Sequence, residues 1–194
     1  TGLIMALGEW VLRGACTQLK MWQAQFPCSP PLSMNVNLSV NQLADPNLIA
    51  MVESVLAESG IPPETLNLEL TEGSLAAEIE SAREMLARLK ALGIGLKLDD
   101  FGTGYSSLSH LRTLHFDSLK IARSFVNRLA TDSETYALVE PILNLASTLH
   151  MTVVAEGIES EDQMAQLVGL GCPTGQGFLF SKPVAAEVAE REEV

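Results

Sequence analysis

Residues 95–104 read Gly95-Leu96-Lys97-Leu98-Asp99-Asp100-Phe101-Gly102-Thr103-Gly104, a short β-compatible run that ends in two adjacent carboxylates and opens into a glycine-bearing loop. A run of this length bounded by turn residues reads as a buried strand. The same unit recurs on both sides of it. Upstream, 34–39 and 66–70 are apolar strand candidates. Each leads into a helical pattern, one over about 41–59 that ends at Gly60 and Pro62, the other over about 75–92 closed by Gly93. In the second, Ile79, Ala82, Leu86 and Leu89 recur at three and four. Downstream come a helix near 106–114, a strand at 118–121, a helix near 134–149, a strand at 151–155, a helix near 161–170 and a strand at 177–180. Six strands alternating with helices require right-handed crossovers and a parallel sheet, either doubly wound or closed as a (β/α)8 barrel.

The polar residues choose between the two. A barrel gathers its chemistry at the C-terminal ends of many strands, whereas an open sheet uses one switch point. Asn37, Glu69, Asp99 with Asp100, Lys120, Glu156 and Gln176 stand in or just after apolar strands, at intervals of 32, 30, 21, 36 and 20 residues. Every strand contributes, so a barrel is expected, with about two of its eight strands upstream of Thr1. A parallel strand buried on both faces is otherwise apolar, and each exception needs a partner or a metal.

Composition narrows the ligand. Apolar residues make up 47% of the 194 and charged residues 19%, enough for a real core and too apolar for a disordered chain. Twelve bases against 24 acids leave a net charge of −12, a poor match to a polynucleotide partner. A small anion stays possible if metal ions or helix N-termini neutralise it. Cys16, Cys28 and Cys172 form no CxxC pair, which suits a reducing, cytoplasmic setting. The uncharged stretch 141–155 is too short to span a membrane and carries Asn144, Ser147, Thr148 and His150. No signal peptide is read, and Thr1 looks like a cut. Trp10 and Trp22 with Leu19 read as the core face of an N-terminal helix. His110, His115 and His150 share no ligand spacing and read as surface or packing residues, and 187–194 as a solvated acidic helix end.

Four carboxylates (Glu69, Asp99, Asp100, Glu156) and the Asn37 amide make an all-oxygen donor set, suited to Mg²⁺ or Mn²⁺ and not to zinc. If the chain turns at the strand end, Asp99 and Asp100 both reach the centre and bind two ions, while Lys120 holds or polarises a water. Taken singly, each of these residues also reads as a satisfied core polar group or a strand-end cap. The loop 100–107 reads either as a phosphate cradle or as an ordinary turn with a serine helix cap.

The stretch from Asp99 to Leu108 resembles the most recognisable motif of the EAL-domain cyclic-di-GMP phosphodiesterases of bacteria. Val36-Asn37-Leu38-Ser39, Glu69-Leu70-Thr71-Glu72, Leu119-Lys120-Ile121, Ala155-Glu156-Gly157-Ile158-Glu159 and Gln176-Gly177-Phe178 agree with it in order and spacing. The resemblance implies a TIM-like (β/α)8 barrel of the EAL type, N-terminally truncated in this chain, with one strand antiparallel. It places the barrel domain at 1–184, lacking its first strands, and an acidic tail at 185–194. By the same resemblance two Mg²⁺ or Mn²⁺ ions serve to open cyclic-di-GMP to linear pGpG. Asn37, Glu69 and Asp99 look like ligands of one ion, Asp99 and Asp100 reach the second with Glu156 in support, and Lys120 holds the nucleophilic water. Glu159 and Gln176 are similar to residues lining the substrate pocket. Glu72 resembles the glutamate that anchors the loop after Asp100, a loop the family also uses at its dimer contact. A homodimer and an upstream sensory or GGDEF cyclase domain are expected partners.

Three departures qualify the resemblance. The Glu-Ala-Leu motif is absent and belongs, by family spacing, about twenty residues before Thr1. Ala122 stands where the family usually places an aspartate, and Lys97 where it has a small or apolar residue. The second ion is therefore expected to bind weakly. The alternative to an active phosphodiesterase is a catalytically weak or inactive domain that serves as a cyclic-di-GMP receptor or regulatory module.

Overall fold

The computed structural model describes residues 2–75, 79–103, 108–129 and 133–190. Its centre is one six-stranded sheet in strand order 1-2-3-4-5-6: β1 (Met34–Asn37), β2 (Leu66–Thr71), β3 (Gly95–Phe101), β4 (Ser118–Ile121), β5 (Thr152–Glu156) and β6 (Thr174–Gln176). All five ladders are parallel, and the sheet curls as half of a TIM-like barrel. The antiparallel strand implied by the family resemblance is not among the described strands. Helices fill the connections: α1 (Leu3–Gln25), α2 (Val40–Leu43), α3 (Leu48–Ser59), α4 (Glu72–Leu75), α5 (Ile79–Ala91), α6 (Leu108–Leu114), α7 (Arg123–Val126), α8 (Ser133–Thr148), α9 (Glu161–Gly169) and α10 (Ala186–Ala189).

Alternation sorts each strand into two faces. Leu66, Leu68, Leu70, Leu96, Leu98, Leu119 and Ile121 are all at most 1% exposed and form one core with Val52, Val55, Leu86 and Leu89 from α3 and α5. Full burial of each such side chain contributes about 1.5–3 kcal/mol. The opposite face carries Asn67, Glu69, Lys97, Asp99, Ser118, Lys120 and Glu156, and it faces the barrel interior.

Four expectations need correction. The helix expected over 41–59 is two helices, because Pro46 disfavours helical backbone at Asp45 and itself lacks an N–H. Ser39 and Gln42 form a capping box on the first, and the Asp45 carboxylate accepts the Asn47 N–H at 2.9 Å before the second. The last strand is Thr174–Gln176 and not 177–180. Ile158 donates its N–H to the Gln176 carbonyl and accepts the Leu179 N–H, so the chain turns at Gly177 and leaves Phe178 and Phe180 exposed. Trp10 is 72% exposed while Leu12, Cys16 and Leu19 are buried. Nine residues separate Trp10 from Leu19, which is half a turn out of phase at 100° per residue. The acidic end is not merely solvated, since the Glu190 carboxylate accepts the Trp22 Nε1–H at 3.0 Å and so ties it to α1. Residues 104–107 of the glycine-bearing loop and 191–194 of the tail lie outside the described residues, as does the side chain of Ile79. No described helix is long and apolar enough to cross a membrane.

Candidate functional site

The C-terminal ends of β2 to β5 bring one ammonium and three carboxylates together. Lys120 Nζ on β4 lies 2.6 Å from Glu156 Oε1, 2.8 Å from Glu69 Oε2 and 3.4 Å from Asp99 Oδ1. Lys120 and Glu69 are each only 5% exposed. Burial alone pushes the Lys120 amine toward neutrality, but its hydrogen bonds to Glu156 and Glu69 outweigh that and raise it above the usual lysine value. Glu156 is raised above the usual carboxylate value by burial, with Lys120 opposing and Asp99 adding to the shift.

Neighbouring residues of an ideal strand point to opposite faces, so Asp99 and Asp100 cannot both reach one site without a distortion. The structure supplies one. The β3–β4 register shifts between Leu98 and Phe101, and Asp100 has φ of 54°, a left-handed conformation uncommon outside glycine and asparagine or aspartate. The Asp99 carboxylate also accepts the backbone N–H of Asp100 at 2.8 Å, holding the turn. As a result, oxygens of Asp99, Asp100 and Glu156 all lie within 4.8 Å of one another, close enough to share a metal ion.

The other expected residues fall around this centre. Glu69 turns one oxygen to Lys120, and its Oε1 is buried without a hydrogen-bond partner among the described residues. Asn37 is exposed at the end of β1, in ladder register with Glu69. Glu72, 2% exposed, accepts the Gly102 N–H at 2.8 Å and reaches the loop, not the Lys120 centre. Gln176 pairs in register with Glu156 and lines a cavity of about 470 Å³ together with Glu156 and Glu159. Glu159 is ion-paired to Arg123.

Arg123 and Lys182, which line the same cavity, escaped the sequence reading. The signal for Arg123 is its place two residues after the end of β4, at the start of α7; Lys182 lies in an irregular segment that carries no comparable pattern. Gly157 lies close against Arg123, with φ of 72°, and a Cβ there would meet the Arg123 stem.

Against known proteins, residues 1–183 match the EAL domain family. The chain is 42% identical over 187 residues to the bifunctional diguanylate cyclase/cyclic di-GMP phosphodiesterase MucR of Pseudomonas aeruginosa, covering 96% of this chain and 27% of that protein. It spans about a quarter of the length of the first curated relatives it matches. Among solved structures, the MucR phosphodiesterase in complex with c-di-GMP superposes with a TM-score of 0.92 at 42% identity, covering 97% of this chain and 76% of that one. The EAL domain of Mycobacterium smegmatis DcpA gives 0.88 at 37% identity, covering 95% and 82%. With a family match over nearly the whole chain and a parallel half-barrel carrying acidic strand ends, this chain belongs to the EAL domain family.

Proposed function

We propose that the chain hydrolyses cyclic-di-GMP to linear pGpG with the help of divalent cations, Mg²⁺ or Mn²⁺. The observation that carries this reading is the convergence of Lys120 with Glu69, Asp99 and Glu156 at the strand ends, beside Asp100 and a cavity of nucleotide size. The naming of MucR as a cyclic di-GMP phosphodiesterase, and its solved c-di-GMP complex, support the choice of substrate.

The donor set fits hard divalent ions. All its atoms are oxygens, three carboxylates are already gathered, and Glu69 Oε1 is an open acceptor in a buried place. Asn37, Glu69, Asp99, Asp100 and Glu156 would hold the ions, which when bound supply charge neutralisation at the phosphate and a more acidic water. Lys120, kept protonated by its carboxylates, orients the attacking water by hydrogen bonding. Arg123 and Lys182 present cations to the phosphates at the cavity wall, while Gln176 and Glu159 offer hydrogen-bonding edges to a guanine base. Glu72 supports the loop after β3 and with it the backbone turn that aims Asp100. An acidic chain can thus take a dianionic substrate, because the positive charge it needs is local.

Asp99→Asn removes one of the two carboxylates, Asp99 and Glu156, that belong both to the gathered cluster and to the Lys120 ion pairs, without changing side-chain shape. Calorimetric titration with Mn²⁺ and chromatography of the nucleotide products should both show a large loss, with an unchanged circular dichroism spectrum. Wild-type ion affinity and turnover in this variant would remove the assignment.

A further inference from the structure

Lys97 is a charge inside the barrel that the proposed chemistry leaves unused. It stands in ladder register with Glu69 on β2 and with Ser118 on β4, and alternation turns all three side chains to the barrel face. Glu69 is 5% exposed and Ser118 2%. Glu69 Oε1 and Ser118 Oγ have no hydrogen-bond partner among the described residues. Lys97 is half-buried, and among the described residues the ion pairs at this face run to Lys120 and not to it. Burial first, and then the Lys120 charge, push its amine below the usual lysine value, against the pull of Glu69 and Asp117. Three under-satisfied polar groups therefore sit side by side in one ladder, a costly arrangement unless they serve one another or a ligand.

We propose that Lys97 is a tethered competitor for the open oxygen of Glu69, so that it sets the divalent-ion concentration at which this site fills. The inference rests on the reading above that Glu69 belongs to an ion site. Glu69 has one oxygen committed to Lys120 and one without a partner among the described residues, and Lys97 is its ladder partner on the next strand. In this structure the Lys97 ammonium is not paired to Oε1; swung onto it by a change of rotamer, it satisfies Glu69 while no dication is bound. A dication arriving there displaces it by like-charge repulsion, and Ser118 Oγ, the other open acceptor in the same register, receives the displaced ammonium. The site thus trades one cation for another and fills only when the free ion outcompetes the tether.

Electron paramagnetic resonance of free Mn²⁺, titrated into the full protein, tests this without reference to turnover. Lys97→Met and Lys97→Gln should fill at about ten-fold lower free Mn²⁺ than wild type, since each deletes a like charge near the site. Lys97→Arg should stay near wild type, and the melting temperature of each variant reports its folding, with the glutamine variant kept as the milder change. Equal Mn²⁺ affinity in the wild type and the Met and Gln variants, with Asp99→Asn weakened, overturns the role of Lys97 and leaves the ion site standing. An equal gain in the Arg variant overturns it as well, because the effect is then packing and not charge. Absence of Mn²⁺ binding from every variant, or full binding by Asp99→Asn, overturns the ion-site reading and this inference with it.

Discussion

The carboxylate of Glu72 accepts the backbone N–H of Gly102 at 2.8 Å across thirty residues of sequence, joining the end of β2 to the loop that leaves β3. Gly102 has φ of 95°, and a Cβ there would lie 2.4 Å from the Phe125 ring, so the turn is shaped from both sides. Glu72→Ala should free that N–H at a cost of about 1–3 kcal/mol. Amide exchange in 100–103 should quicken and turnover fall, with nucleotide affinity kept; Glu72→Gln, which retains an acceptor, should recover part of both. Hydrogen-exchange mass spectrometry alongside kcat and KM checks this, and an unchanged loop would remove Glu72 from a positioning role.

Lys120→Met leaves Glu69, Asp99 and Glu156 facing one another with no cation between them. In ion-free buffer the loss should be about 3–5 kcal/mol by urea denaturation, and added Mn²⁺ should restore part of it. The sign of the pH dependence follows from the raised Lys120 value. Its contribution is fully present below the ordinary lysine value of 10.5 and is lost only as pH rises through the higher folded value. The Lys120 ammonium itself therefore adds no slope below 10.5, and a slope in the difference at lower pH reports Glu156, which Lys120 holds down.

Two glycines should respond in opposite directions. A Cβ at Gly177 would lie 2.1–2.6 Å from backbone atoms of Ile158, which cannot swing aside, so Gly177→Ala should destabilise by at least ~1–3 kcal/mol. Gly14 sits inside α1 with nothing within 4 Å, and Gly14→Ala should stabilise by about 0.5–1 kcal/mol. Paired denaturation curves decide both.

The cysteines report packing of α1. Cys16 is 0% exposed and burial pushes its thiol up to about 11, whereas Cys28 is exposed. Alkylation near pH 8 should mark Cys28 first and Cys16 only after unfolding, as read by peptide mass spectrometry. Equal rates for the two would contradict the buried face of α1.

Some of the expected elements match closely. The strand at 118–121 coincides with β4, and the helices expected near 134–149 and 161–170 correspond to α8 and α9 within a residue. Their patterns are long or sharply bounded, and Ser160 with Gln163 forms a capping box at the start of α9. The region after Gln176 reads as a strand because an apolar run stands beside glycine, whereas its pairing with Ile158 shows that the chain turns there. Trp10 reads as core because it is an aromatic residue on an amphipathic helix, and the phase of the helix against its neighbours decides otherwise.

Local periodicity, written into the sequence, determined the order of strands and helices and placed Glu69, Asp99, Lys120 and Glu156 on the barrel-facing side of four strands. That follows from the two-residue repeat of a strand, which needs no knowledge of distant contacts. Which of these groups meet depends on how the strands pack against one another. The register shift and left-handed Asp100 that bring two consecutive carboxylates to one side, the three-way grip on Lys120, the Arg123–Glu159 pair and the open oxygen of Glu69 beside Lys97 all depend on how neighbouring strands are staggered. Stagger is set by packing between residues tens of positions apart, and no short stretch of the chain carries it.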